Sequence, residues 1–121
     1  MKKKKVLILS RHPLLKSQMT ALWQLFGDYV CVIQEKKPLK TAEEAVKRFR
    51  EGGFDDIVAI APLSMIAKMI DLGVKPLWPV LVPCEPDEAE VVRFNRPYRF
   101  KEFKRITSVL LTFEDVQPVA K

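Results

Sequence analysis

The sequence predicts an α/β fold in which helices cover both faces of a mainly parallel sheet. Short, continuously apolar runs recur along the chain, helical patterns separate them, and the C-terminal part changes to alternating aromatic and basic residues. Runs that are apolar throughout are typical of strands buried on both faces, and strands that alternate with helices are typical of parallel sheets. We therefore expect one domain over residues 1–121, a Rossmann-like three-layer sandwich with a C-terminal β-hairpin.

Composition and charge bound the possible functions. The 121 residues are 48% hydrophobic and 30% charged, with a net charge of +6, which fits one globular domain that favours anionic partners. Residues 1–5 are expected to form a basic, solvated tail. The apolar run that follows, Val6–Leu9, is shorter than the roughly 7 to 15 residues of a secretory signal, and no run approaches the ~18 that cross a membrane. We expect a cytoplasmic protein that makes no membrane contact.

The first strand and helix are predicted from a change of hydrophobic period. Val6–Leu9 is short and apolar throughout, as in a central strand. After Pro13, apolar residues between Leu15 and Phe26 recur at steps of four, three and four, which is the spacing of one helical face, and Gly27 ends the helix. The β-branched and aromatic run Tyr29–Ile33 then predicts a second strand.

The second helix has the clearest boundaries of the three. Thr41 followed by Glu44 is a capping box, and Gly52 ends the apolar face that begins there. A continuous apolar run, Ile57–Ala61, predicts the third strand.

The third helix and the fourth strand follow directly. Leu63–Leu72 is nearly all apolar, so we expect a helix that is largely buried. Leu77–Val82 predicts the fourth strand. Because Pro79 cannot donate a backbone hydrogen bond, we place this strand near an edge of the sheet.

The C-terminal part is interpreted as a hairpin over residues 91–115. The chain turns at Asn95–Pro97, and the run Val109–Phe113 is strand-like. A helix over residues 98–113 is the alternative, because the apolar residues there also fit a period of 3.6.

Polar side chains cluster where the first strand ends. Ser10, Arg11 and His12 follow it directly, and His12 is the only histidine. In open α/β sheets, ligands bind beyond the carboxyl ends of the strands, at the crevice where the strand order reverses. A strand order of 2-1-3-4 would bring these residues beside Leu63 and Ser64, at a helix N-terminus that favours an anion. We therefore predict a phosphate site; the alternative is that both serines only satisfy helix ends and the histidine is a loop residue.

Several other chemistries lack the residues that they need. A dinucleotide-binding turn requires glycines, and residues 10–15 contain none. A phosphoacceptor receiver requires acidic residues where this chain has Ser10 and Pro62. Cys31 and Cys84 belong to no CxxC pair, so we predict free thiols, no metal and no cofactor.

The tetrapeptide Ser10–Pro13, read together with DDIVAIAPLSMIAKMIDLGVKP at residues 55–76, resembles the small CRISPR-ancillary proteins with Rossmann-like folds. These are related in architecture to the CARF domains and ring nucleases of type III systems, and the resemblance spans residues 6–83. In this chain Leu14 and Leu15 follow the tetrapeptide, where that family has small residues.

The resemblance implies that the protein binds, and without metal cleaves, a cyclic oligoadenylate second messenger. In such a reaction a ribose 2′-hydroxyl attacks its own phosphate and leaves a 2′,3′-cyclic phosphate. Arg11 and the amides around Ser64 would hold the phosphate, His12 would act as general acid or base, and Ser10 would fix a phosphate oxygen or orient the imidazole. A ring of repeated units further implies a two-fold homodimer.

A second hypothesis of a different class rests on the hairpin. Residues 93–105 contain six basic residues, one glutamate and four aromatics, a mixture that suits neutralised phosphates and stacked bases. The chain would then be a non-enzymatic nucleic-acid-binding or protein-interaction module that uses Arg96, Arg99 and Lys101. The alternative is that strand alternation sends the aromatics to the core and leaves the basic side chains as a solvated face.

Overall fold

The computed structural model describes residues 3–37 and 39–119. Six strands form one mixed sheet, and three helices connect the first four strands. The strands are β1 (Lys5–Leu9), β2 (Cys31–Glu35), β3 (Asp56–Ala59), β4 (Leu77–Pro83), β5 (Val91–Arg93) and β6 (Arg96–Arg105), and the helices are α1 (Lys16–Phe26), α2 (Ala42–Glu51) and α3 (Leu63–Asp71).

The strand order is β2-β1-β3-β4-β6-β5, so the first four strands have the order 2-1-3-4 that the predicted phosphate site assumes. These four strands are parallel to one another, and β6 is antiparallel to both β4 and β5. The C-terminal antiparallel hairpin is therefore present, and the sheet is mixed rather than uniformly parallel.

The core lies on both faces of β1, whose side chains alternate between two apolar clusters. Leu7 and Leu9 pack with residues of α2 and α3, whereas Val6 and Ile8 pack with Leu22 of α1. Val6, Leu7 and Ile8 are at most 1% exposed. Because successive side chains of a strand point to opposite faces, one central strand organises both clusters.

The helix boundaries agree closely with the sequence, because local capping residues set them. The hydroxyl of Thr41 accepts a hydrogen bond from the Glu44 N–H at 3.1 Å, which confirms Thr41 as the N-cap. The Glu44 carboxylate accepts the N–H of Lys40 rather than that of Thr41, so the reciprocal bond of the predicted capping box is displaced by one residue. At the end of α1, Gly27 has a φ of 96°, a left-handed conformation that glycine adopts without strain.

The prediction that α3 is largely buried is wrong for its first turn. Ile66 and Met69 are buried, but Leu63 is 56% exposed and Ser64 is exposed as well. The helix is short, and only one side of it contacts the sheet, so its N-terminal turn stands free at the carboxyl edge of the strands.

The prediction that β4 lies near an edge is also wrong. It lies between β3 and β6, and it pairs with β6 along its whole length. Its pairing with β3 is limited to Val58 and Leu77, and stops before Pro79. Since proline has no N–H to donate, the chain tolerates Pro79 inside the sheet at the point where β3 and β4 diverge.

The hairpin differs from the predicted one in the position of its turn and in the residue at which its second strand ends. It turns at Phe94 and Asn95, which both have positive φ angles of 54° and 61°, the pattern of a type I′ turn. The helical alternative for residues 98–113 is wrong, because β6 continues to Arg105. The strand-like interpretation of Val109–Phe113 is also wrong within this chain, since residues 106–119 form neither strand nor helix.

A β-bulge in β6 explains how its aromatic residues share one face. Val80 pairs with Glu102 and Leu81 pairs with Phe100, so Lys101 is an extra residue in the ladder. The bulge brings Phe100 and Phe103 together although they are three residues apart, with ring centroids separated by 4.9 Å. Phe100 is buried while Arg99 and Lys101 are exposed, as strand alternation predicts.

Two cationic side chains tie the strand ends together at the opposite edge of the sheet. Arg105 at the end of β6 donates to both carboxylate oxygens of Asp56 at the start of β3, at 2.9 and 2.6 Å, and these hydrogen bonds raise the pKa of the guanidinium. Lys5, which we assigned to a solvated tail, is the first residue of β1. Its ammonium donates to the Gly52 carbonyl at 2.7 Å and lies 4.6 Å from the ring centre of Phe54.

Candidate functional site

The turn after β1 is held in one conformation by hydrogen bonds. The Ser10 hydroxyl accepts the His12 N–H at 3.1 Å, and the side-chain amide of Gln34 in β2 donates to the carbonyls of Ser10 and His12 at 3.0 and 2.6 Å. Ser10 is buried, whereas Arg11 and His12 are exposed. The neighbouring strand thus fixes the backbone that presents the guanidinium and the imidazole, and the sequence did not predict this role of Gln34.

A cavity of about 470 Å³ lies beyond the carboxyl ends of β1, β2 and β3, and we call it the basic cavity. Its walls are the turn after β1, the loop between β2 and α2, and the start of α3. Four cationic side chains and one carboxylate line it: Arg11, Lys36, Lys37, Lys40 and Glu35. The net charge of these five groups is +3, and the carboxylate also lies 3.8 Å from the Arg48 guanidinium. Such a cavity attracts anions.

Most residues of the predicted phosphate site line the basic cavity. Ser10, Arg11, His12 and Ser64 all line it, so the loops after β1 and β3 meet as the strand order predicted. Leu63 does not line it, although its backbone belongs to the same helix end. The hydroxyl of Ser10 is engaged with the backbone of His12, so its contribution is to shape the turn.

The first turn of α3 adds backbone donors to this edge. Pro62 precedes the helix, and its carbonyl accepts the N–H groups of Met65 and Ile66 at 3.0 and 3.1 Å. Leu63 and Ser64 come before the first N–H that bonds within the helix, and no side chain caps this end. Their amides and the positive end of the helix dipole reinforce the positive charge of the cavity.

A second cavity, of about 640 Å³, lies on the α1 side of the same edge, and we call it the apolar crevice. It opens where β3 and β4 diverge, and the hairpin closes it. Most of its lining is apolar, contributed by Ile8, Leu14, Val58, Ile60, Leu81 and Phe103. Ser10, His12 and Ile60 line both cavities, so the single imidazole stands at the boundary between a charged space and an apolar one.

Glu90, which immediately precedes β5, lines the apolar crevice and joins α1 to β6. One of its carboxylate oxygens accepts the hydroxyl of Ser17 in α1, and the other accepts the N–H of Phe100 in β6 at 2.8 Å. Sequence analysis missed this residue because its partners are 73 and 10 positions away, beyond the reach of any local pattern.

The residues of the alternative nucleic-acid hypothesis lie elsewhere. Arg96, Arg99 and Lys101 are all exposed on the hairpin and line neither cavity. At the tip of the hairpin, the ring of Phe94 is 93% exposed. The exposed residues of the second hypothesis therefore lie outside both cavities, although Arg93 and Phe103 of the same hairpin line the apolar crevice.

The thiols and the remaining titratable groups suggest no further reactive centre. Cys31 and Cys84 are free thiols, and desolvation followed by the negative charge of Glu88 raises the pKa of the Cys84 thiol. That thiol is therefore a poor nucleophile at neutral pH. Over residues 3–37 and 39–119, no three His, Cys, Asp or Glu side chains gather as metal ligands, and no helix is both long and apolar enough to span a membrane.

The chain matches no model of a known protein family, no curated protein and no solved structure. Its function is therefore inferred from the geometry and charge of the two cavities and of the hairpin.

We expect Gln34→Leu to lower the free energy of unfolding by about 1–2 kcal/mol, because two carbonyls of the turn lose their donor while the side-chain volume is nearly kept. Urea denaturation followed by circular dichroism measures the change. Gln24→Leu, on the exposed side of α1, is the matched control and should change stability by less than about 0.5 kcal/mol. Equal stability of the two variants would contradict the assigned role of Gln34.

Proposed function

We propose that the protein binds a phosphate-bearing nucleotide across the carboxyl edge of its sheet, with a phosphate in the basic cavity and a base in the apolar crevice. The observation that carries this proposal is that four cations and a helix N-terminus surround one cavity, which shares His12 with an adjacent apolar one. Guanidinium, ammonium and backbone N–H groups are the donors that phosphates bind, and apolar walls suit the faces of a base.

Charge and shape both support a nucleotide over a simple anion. The charged groups lining the basic cavity sum to +3, half of the net charge of the whole chain. An inorganic ion would leave the larger apolar crevice unused, whereas a nucleotide fills both spaces. Because Ser10 and His12 line both cavities, the sugar of a ligand that fills both would lie beside the imidazole.

Within this class, we propose a cyclic oligoadenylate of type III CRISPR signalling as the ligand. Each unit of such a ring carries one phosphate and one adenine base, and the protein has a basic cavity directly beside an apolar one. The resemblance carried by Ser10–Pro13 supports the same ligand, and with it a Rossmann-like three-layer arrangement and a two-fold homodimer around a ring of repeated units. We propose that the protein acts in the cytoplasm, because its free thiols Cys31 and Cys84 suit a reducing compartment.

The same residues support cleavage of the ring without metal. The ribose 2′-oxygen would form a bond to the adjacent phosphorus as the bond to the 5′-oxygen breaks, which leaves a 2′,3′-cyclic phosphate and a free 5′-hydroxyl. His12 would take the proton from the 2′-hydroxyl or give one to the leaving oxygen, and Arg11 would stabilise the charge on the phosphorane-like transition state. Both side chains are exposed and lie on a turn that Gln34 holds in place.

Arg11→Gln and Lys40→Gln should each weaken the binding of cyclic tetra-adenylate or cyclic hexa-adenylate about tenfold, since each removes a charged donor from the basic cavity. Isothermal titration calorimetry measures the affinities. Lys47→Gln is the matched control, because this lysine is exposed on α2 and faces Glu51 outside the cavity. If neither ring binds the unaltered protein, or if all three variants behave alike, the proposed site is wrong.

With EDTA present, the protein should convert the ring that binds to linear products, and His12→Ala should slow this conversion at least ~100-fold while affinity stays within a few-fold. Chromatography of single-turnover reactions follows the products. A ring that binds tightly and stays intact would mean that the protein is a receptor for the messenger and that His12 holds the ligand without moving a proton.

A second candidate function, binding of single-stranded nucleic acid by the hairpin, is favoured by one observation. Phe94 is 93% exposed at the tip, between Arg93 and Asn95, which Arg96 follows. Its φ of 54° lies in the left-handed region, which costs a residue other than glycine about 1 kcal/mol. An exposed aromatic ring kept at such a cost suits stacking on a base, while Arg96, Arg99 and Lys101 would neutralise phosphates.

Phe94→Asn separates the two roles of this ring. We expect it to raise the free energy of unfolding by about 0.5–1 kcal/mol, because asparagine tolerates the left-handed conformation and no packing is lost. If the hairpin stacks on bases, the same change should weaken binding of single-stranded RNA at least about fivefold in fluorescence anisotropy, whereas His12→Ala should not. Unchanged RNA binding in Phe94→Asn would remove the hairpin as a nucleic-acid site.

A further inference from the structure

The C-terminal arm, residues 107–119, presents apolar surface that the described chain does not cover. It forms neither helix nor strand. Its large apolar side chains are 60% to 92% exposed, namely Leu110, Leu111, Phe113, Val116 and Val119. Contiguous apolar exposure of this kind marks an interaction site.

Part of the arm has the composition of a β-strand but is not paired with any strand among the described residues. Val109–Phe113, with the sequence VLLTF, is rich in residues that favour β-structure. Ile106 donates its N–H to the carbonyl of Pro76, and beyond it no N–H of the arm finds an acceptor among the described residues. An apolar segment that favours β-structure, and whose N–H groups have no acceptor among the described residues, is suited to joining an open sheet edge.

The sheet has one open edge of matching length. Among the residues that the structure describes, β2 pairs only with β1, so its outer backbone groups are free to accept another strand there. Its five residues equal the five of Val109–Phe113. The other edge, β5, has only three residues. The length of the edges therefore favours β2.

Charge selects the direction of pairing. In a parallel alignment Val109 lies opposite Cys31, and the acidic pair Glu114 and Asp115 falls opposite the basic pair that follows β2, Lys36 and Lys37. An antiparallel alignment would instead bring the two carboxylates beside Asp28 and lose both attractions. Oppositely charged neighbours across strands stabilise pairing, and like charges oppose it.

Distance selects a second copy of the chain over the same chain. Ile106 is still in the position of β6, and Val109 still packs against its own core. A strand added outside β2 would lie five strand spacings from β6, about 24 Å at the usual spacing. The three residues from Ile106 to Val109 span at most ~11 Å. The arm therefore cannot pair with the β2 of its own chain in this register.

We propose that two copies of this chain exchange their C-terminal arms, each adding Val109–Phe113 as a parallel strand to the β2 edge of the other. The inference names the contact behind the homodimer of the proposed function, and it holds whether or not a nucleotide binds. In that dimer Lys36 and Lys37 face carboxylates, which leaves Arg11 and Lys40 as the cations of the basic cavity for a phosphate. A stable interface buries ~800 Å² on each partner, and a reciprocal exchange contributes two arms and two edges to that area. Closed two-fold exchange also leaves neither β2 edge open.

The mass in solution tests the exchange, measured by sedimentation equilibrium without nucleotide. We expect twice the 14.0 kDa of one chain. Leu111→Asp with Phe113→Asp should yield folded single chains with an unchanged circular dichroism spectrum, because both side chains are exposed in the single chain. Val119→Asp, which lies beyond the paired segment, is the matched control and should remain dimeric. A single-chain mass for the unaltered protein, or a dimer that survives the double substitution, overturns the proposal.

Disulfide formation tests the register. In a Cys84→Ser background, Val109→Cys should form an intermolecular disulfide with Cys31 of the partner subunit, because directly opposite residues of adjacent strands lie within disulfide reach and point to the same face. Leu110→Cys should not, since its side chain points to the other face. Non-reducing electrophoresis after mild oxidation separates the two results. A dimer that cross-links through residue 110, or through neither residue, overturns pairing with β2.

Discussion

The central strand β1 must be covered by apolar side chains on both of its faces, and the rest of the fold follows from this constraint. Its alternate residues Leu7 and Ile8 belong to different clusters, one completed by α2 and α3 and the other by α1. Since the connections before and after β2 run over opposite faces, the loops after β1 and β3 meet at the carboxyl edge with helices on either side. The basic cavity and the apolar crevice are the two halves of that edge.

Hydrogen bonds from two polar side chains fix the loops at the carboxyl edge of this apolar core. Gln34 holds the turn that presents Arg11 and His12, and Glu90 joins the hairpin to α1. Gln34 donates to two backbone carbonyls more than 20 residues away, and Glu90 accepts from the hydroxyl of Ser17 and from the backbone N–H of Phe100. The functional edge therefore depends on β2 and the hairpin as much as on the strands that carry the candidate residues.

The hairpin shows how a local irregularity shapes the site. Pairing between β3 and β4 stops before Pro79, so the two strands separate and leave the space of the apolar crevice. The bulge at Lys101 then turns Phe103 toward that space and keeps Phe100 buried beside it. Pro79, beyond which β4 no longer pairs with β3, and the bulge at Lys101 together shape one cavity.

The sequence by itself determined the elements, since helix caps such as Thr41 and the buried strand Val6–Leu9 depend on neighbouring residues. Together with the rule for ligand sites in open sheets, it also located Arg11, His12 and Ser64 at one edge. Only the tertiary structure decided that Pro79 lies inside the sheet, that Lys5 belongs to β1, and that Val109–Phe113 has no partner strand among the described residues of its own chain. Each of these depends on which distant backbone groups are available for pairing, and that is set by packing between elements rather than by any local pattern.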